Sequence, residues 1–160
     1  LKGHFLEMVV QRTLEKFNGE TLEGYLFGKT GMVKVPKISY VDSRYVKGDI
    51  TEQYQIDSYG ISTDGNTVWL CECKYRQAKT GIDVIKKMEK AREAYSRQLQ
   101  NERMMEAAIQ LWIISTGGFT NEAIMYIKDK EYLYYSDYET INKLYRKYGG
   151  GFDIPLFETE

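Results

Sequence analysis

The chain reads as an α/β domain, a central mixed β-sheet with an antiparallel hairpin and helices flanking it. Three observations predict this class. Two strand-like segments, Gln53 to Ile61 (QYQIDSYGI) and Thr67 to Tyr75 (TVWLCECKY), flank an Asp64-Gly65 turn signal. Amphipathic segments with apolar residues every three or four positions stand before and after them. Ala108 to Ser115 (AIQLWIIS) is a near-continuous apolar run, as expected of a strand covered on both faces. A hairpin followed by strand and helix in alternation builds a mixed sheet.

The elements follow in order. His4 to Phe17 carries Phe5, Leu6, Val9, Val10, Leu14 and Phe17 at helical spacing, and Asn18-Gly19 ends that helix. From Leu22 to Val46 the glycines at 24, 28 and 31 and Pro36 break any period; loops and one strand or irregular hairpin are expected there, with Lys37 to Val46 β-rich. The hairpin follows. A helix from about Asp83 to about Met105 is expected, capped by Thr80 or Asp83, with Val84, Ile85, Met88, Ala91, Tyr95 and Leu99 as its buried stripe. Lys86, Lys87, Lys90, Arg92 and Arg97 give it a basic side, diluted by Glu89 and Glu93, which reads as a solvated face with charge pairs. After the apolar strand, Thr116 to Thr120 turns the chain, and Thr120 or Asn121 caps a short helix to about Lys128. Glu131 to Tyr135 reads as a short strand, and Tyr138 to Tyr148 as a last helix closed by three glycines.

Composition narrows the function. At 160 residues one domain over 1–160 is expected, and a first residue Leu1 rather than Met is expected of a piece of a longer protein. The formal charge of −1 gives no global signal for a polyanionic partner, so nucleic-acid binding has to rest on a local patch. No run is apolar for long enough to span a bilayer, and none has the form of a signal peptide. Cys71 and Cys73 lie two apart on one strand, a spacing that suits neither a zinc half-site nor a disulfide framework. They read as buried fillers in a protein of the reducing cytoplasm. His4 is the single histidine and reads as a surface residue, so a His-rich zinc site is excluded.

The chemistry-bearing residues are in the hairpin. With Asp64-Gly65 as a two-residue loop, Thr63 pairs with Asn66, and counting back in step sets Asp57 opposite Glu72 and Gln55 opposite Lys74. Side chains two apart share a face, so these four form one polar cluster. A loop at Gly65-Asn66 instead would set Asp57 against Lys74 on the same face. Two carboxylates face to face on a sheet repel. A divalent hard cation held between them offsets that repulsion. Lys74 does part of the same work, and a water-exposed hairpin end whose charges satisfy one another is the other reading open at this point.

Gln55-Ile56-Asp57 on one strand and Glu72-Cys73-Lys74 on the next, joined by a hairpin, resemble the core of the PD-(D/E)xK nuclease superfamily, the restriction-endonuclease-like fold. Glu7 matches the acidic residue that many members carry on their first helix. Trp112 to Ile124 (WIISTGGFTNEAI) and Glu131 to Tyr135 resemble the following strand, turn, helix and strand of Mrr-like members. The resemblance covers the chain outside residues 20–50; Ile56 stands where the superfamily name has proline. It implies a metal-dependent endonuclease hydrolysing DNA phosphodiester bonds, of restriction, defence or repair type. Asp57, Glu72 and Glu7 would hold Mg²⁺ or Mn²⁺, with the backbone carbonyl of Cys73 as a further ligand. Lys74 would act on the attacking water and the phosphate, and Gln55 and Gln77 would touch substrate. A fused or associated ATPase domain and a homodimer are compatible with it. The competing reading is a non-catalytic DNA- or protein-binding module of the same fold appended to an ATPase.

Overall fold

The computed structural model describes residues 2–48, 52–102 and 106–156. Helix α1 (Lys2–Lys16) opens the chain. It ends before Gly19, whose φ of 81° lies in the left-handed region that glycine enters without a side-chain penalty. A small two-stranded sheet follows, β1 (Thr21–Glu23) and β2 (Met32–Lys34), with a 3₁₀ turn at Gly24–Phe27 between them. The β-rich stretch after it is one ten-residue strand, β3 (Ile38–Lys47). Then come β4 (Gln53–Ser62), β5 (Thr67–Lys74), α2 (Ile82–Asn101), β6 (Ala108–Ser115), α3 (Asn121–Lys128), β7 (Leu133–Ser136) and α4 (Tyr138–Lys147).

The main sheet has the order β3-β4-β5-β6-β7. Its first two pairings are antiparallel and its last two parallel, so it is mixed as the element order predicts. Each face is covered by helices. On one side Leu6, Val10 and Leu144 of α1 and α4 pack on Trp69, Cys71, Trp112 and Ile114. On the other, Ile85, Met88 and Ile127 of α2 and α3 pack on Ile56, Leu70, Leu111 and Ile113. Each such fully buried aliphatic side chain stabilises the fold by roughly 1.5–3 kcal/mol relative to exposure. Among the described residues no helix is long and apolar enough to cross a membrane.

Local chemistry decides the element ends. The hairpin turn is wider than a two-residue loop. Thr63 to Asn66 leave the ladder, and the Asp64 carboxylate accepts from Ser62 Oγ at 2.7 Å and from the Asn66 N–H at 2.9 Å. An aspartate that closes its own turn in this way substitutes for the backbone pair expected between Thr63 and Asn66. Helix α2 starts after Gly81 with no side-chain cap, because Thr80 is buried and its hydroxyl is used elsewhere. It ends at Asn101; its expected last residues, 103–105, lie outside the described residues. Thr120 caps α3 as expected, and Asp137 and Thr140 form a capping box for α4. β7 starts later than its β propensity suggests, since Lys130 and Leu133 are held in turns back to Ile127 and Lys130.

The loops that leave β5 and β6 are tied together. Thr116 N–H donates to the Lys74 carbonyl at 3.0 Å, and the Arg76 N–H donates to Thr116 Oγ at 2.9 Å. Thr80 Oγ donates to Ser115 Oγ at 2.8 Å, and Thr80 N–H reaches the Gly118 carbonyl at 2.8 Å. Gly117 makes this closeness possible, because a Cβ there would lie 2.2 Å from the Ala78 carbonyl oxygen and 2.5 Å from that of Gln77. Gly117→Ala is therefore expected to destabilise the chain by about 1–3 kcal/mol, the usual cost of overpacking against backbone that cannot swing away. Urea unfolding of the variant checks this; an unchanged midpoint contradicts the close approach of the two loops.

Candidate active site

The hairpin keeps the register its turn sets and breaks it where the carboxylates sit. β4 pairs β5 through Ile61↔Val68, Gly60↔Trp69, Tyr59↔Leu70 and Ser58↔Cys71, a register in which Asp57 comes next opposite Glu72. On its other edge β4 pairs β3 at Asp42↔Tyr59 and next at Arg44↔Ile56. Three steps along β4 match two along β3, so one extra residue is inserted at Asp57-Ser58. That is a β-bulge, which bends a strand and re-aims its side chains. Asp57 turns its carboxylate onto the neighbouring strand, where Oδ2 accepts the Cys73 N–H at 2.9 Å. Beside it Ser58 is fully buried with no hydrogen-bond partner for its hydroxyl among the described residues.

The bulge corrects one expectation. Tyr54 and Ile56 pack into the same core layer as Tyr59, although strict alternation would separate them. Gln55, which alternates with both, thus points to the opposite side of the sheet and is exposed. It does not join Glu72 and Lys74, which alternate with Cys71 and Cys73 and so lie on the α2 side. An extra residue inverts the parity of everything beyond it.

Two carboxyl groups from two other elements converge on Asp57. Glu7 on α1 and Glu72 on β5 each have Asp57 as hydrogen-bonding and charged neighbour. Burial raises the Glu7 pKa above the ordinary carboxyl value, and Asp57 adds to the effect. His4 works against it; the ring Nδ1 lies 3.0 Å from Glu7 Oε2, so this histidine is exposed yet engaged. Glu72 is pushed up to about 9, first by burial and then by Asp57, while Lys74 and Lys87 pull it down. The shift favours the protonated form of Glu72 at neutral pH. Burial also pushes the thiols of Cys71 and Cys73 well up, so neither is a thiolate.

This cluster lies at the carboxyl end of β5, the end of a parallel pair where α/β sheets commonly bind ligands. The donor chemistry fits a hard divalent cation: oxygen ligands only, crowded negative charge and a proton ready to be displaced. Glu7, Asp57 and Glu72 are the side chains able to hold one. They meet in pairs through Asp57; among the described residues no three His, Cys, Asp or Glu stand together in a metal-holding group. Cys73 contributes its N–H to Asp57, and Gln77 is exposed in the loop that Gly117 packs against. Lys87, on α2, is the neighbour that the sequence did not single out. Its one signal was the basic side of α2, which reads equally well as solvated surface.

No family model, curated protein or solved structure matches this chain.

The proton on Glu72 sets a pH dependence. Because folding raises this pKa from 4.5 to about 9, the folded chain binds more protons than the unfolded chain between those values. Stability is then fullest at acidic pH and is lost as pH rises through that window, Glu7 acting in the same direction. One proton gives a slope of at most about 1.4 kcal/mol per pH unit. Without divalent ions, urea unfolding at stepped pH should show this decline in wild type and a flatter profile in Glu72→Gln. Equal slopes in the two proteins contradict the raised pKa of Glu72.

Proposed function

We propose that the chain is a metal-dependent endonuclease that hydrolyses DNA phosphodiester bonds on a restriction-endonuclease-like fold. The observation that supports this reading is the convergence of Glu7, Asp57 and Glu72 at the end of β5, with Lys74 and Lys87 acting on Glu72 from the basic side. In this reading Asp57, Glu72 and Glu7 hold Mg²⁺ or Mn²⁺, with the Cys73 carbonyl as a backbone ligand. Such an ion, when bound, polarises a phosphoryl oxygen and lowers the pKa of water. The protein's own groups do the rest. The Cys73 N–H fixes the Asp57 carboxylate in one orientation. Glu72 would serve as a ligand in its deprotonated form, its proton passing to solvent. Lys74 carries a compact positive charge beside the carboxyls, where it orients the attacking water and offsets charge developing on the phosphate. The loop ties at Thr116 keep the end of β5, and so Lys74, in place. A role in restriction, defence or repair and attachment to an ATPase belong to the same proposal.

A second reading is a non-catalytic DNA- or protein-binding module of the same fold. It is favoured by the pairwise meeting of the carboxyls, with one Asp57 oxygen already used by a backbone N–H.

Nicking of supercoiled plasmid with Mg²⁺ or Mn²⁺ separates the two. Wild type is expected to cleave, and Lys74→Ala to lose about 10²–10⁴ in rate, the usual contribution of a positioned acid–base or electrostatic group. Lys74→Arg should rescue only in part, since the planar guanidinium cannot take the place of a compact ammonium. Cleavage by Lys74→Ala at the wild-type rate sinks the assigned mechanism. An inactive wild type on duplex and single-stranded DNA favours the binding module.

A further inference from the structure

The first turns of α2 and the start of β4 flank an open cleft of about 600 Å³, lined by Lys86, Lys87 and Lys90 together with Glu52, Tyr54 and Asp83. Among the described residues none of the three lysines lies within ion-pair distance of a carboxylate. The Glu52 carboxylate is engaged by the Tyr54 hydroxyl, so its charge is in part committed. All three lysines are exposed, and they occupy helix positions i, i+1 and i+4, one side of α2 over a rise of roughly 6 Å. Lys87 ties this patch to the candidate site, because its charge acts on Glu72. The other flank of the site is acidic, since Glu7 of α1 faces Asp57 there.

A polyanion that reaches the carboxyl cluster thus meets repulsion from the α1 side and attraction from the α2 side. In a chain whose formal net charge is −1, a cleft lined by three lysines is a local feature that bulk charge does not explain. We infer that α2 carries the phosphate backbone of a nucleic acid across Lys86, Lys87 and Lys90 on its way to the carboxyl cluster. This rests on the nucleic-acid part of the function proposed above, and it assigns the side from which the strand enters. Lysines suit this work as point charges for phosphate without base readout, so the contact is independent of sequence.

The test is binding of a fluorescein-labelled 20-mer, single-stranded and duplex, to the whole chain in EDTA, with affinity followed against salt. Lys86→Gln/Lys90→Gln spares Lys87 and the carboxyls. It should lower the slope of log affinity against log salt by about 2 for duplex, near one per lost phosphate contact. Lys86→Arg/Lys90→Arg should keep the slope, as should Arg12→Gln/Lys16→Gln on α1. In the cleavage assay the Gln pair should raise KM more than it lowers kcat. A wild-type salt slope in the Gln pair overturns the inference, even if the chain cleaves DNA. A lowered slope with no cleavage by any protein supports the inference while the endonuclease reading fails. No binding by wild type to either oligonucleotide overturns both, and binding only to an acidic polypeptide such as poly-glutamate does the same.

Discussion

The extra residue at Asp57-Ser58 is the constraint on which the rest of the site depends. A regular strand would leave Asp57 in the ladder, opposite Glu72, with its side chain on one face of the sheet. The bulge takes it out of the alternation. Its carboxylate then bonds the Cys73 N–H and stands between Glu72 on β5 and Glu7 on α1. An ordinary hairpin brings two carboxyl groups together; here Glu7 of α1, the helix on the other side of the sheet, also reaches Asp57 at the bulge. The crowding this creates is unfavourable for the folded chain at neutral pH, and it is relieved by a proton on Glu72 or by a cation. Groups placed against their own electrostatic preference are more common at functional sites than elsewhere, which is why the cluster supports a functional reading.

Much of this was legible in the sequence. The period of Leu6, Val10 and Leu14 gave α1, the uninterrupted AIQLWIIS run gave β6, and Asp64-Gly65 gave the register that holds from Ile61↔Val68 to Ser58↔Cys71. What escaped were features that depend on long-range partners. Nothing local in Gln-Ile-Asp-Ser marks a bulge, because its cause lies in how β3 and β5 pair on either side, so Gln55 was placed on the wrong face. The region from Leu22 to Val46 mixes a two-stranded sheet, a 3₁₀ turn and a long edge strand, and its glycines give no single period to read. Thr80 looked like a helix cap, but the hydroxyl is drawn instead to Ser115, thirty-five positions away in sequence. Lys87 was visible as charge, while its role beside Glu72 depends on how α2 lies over the sheet.

The scaffold around the cluster is rigid where the proposed chemistry needs it. Trp69 and Trp112 pack edge to face at 5.8 Å beneath one face of the sheet, and the Trp112 indole donates to Ser136, which donates in turn to the Leu26 carbonyl. This buried network binds β6, β7 and the 3₁₀ turn together. The loops after β5 and β6 are held by Thr80, Thr116 and the close approach at Gly117. Lys74 therefore hangs from a fixed strand end, while the lysines of α2 are exposed, Lys86 lying over the Tyr126 ring at 5.8 Å. Positioned groups at the end of β5 and exposed cations on α2 suit the polyanion proposed above.

Asp57 organises the carboxyl cluster, so the proposed metal site depends on it. Thermal unfolding with rising Mg²⁺ or Mn²⁺, in wild type and in Asp57→Asn, tests it most directly. A ligand that binds only the folded chain stabilises it by RT ln(1 + [L]/Kd), about 2.7 kcal/mol at a hundredfold excess over Kd. The Tm of wild type should climb with millimolar metal and that of Asp57→Asn should not, both proteins folding without it. Equal shifts in the two proteins, or none in either, would contradict it.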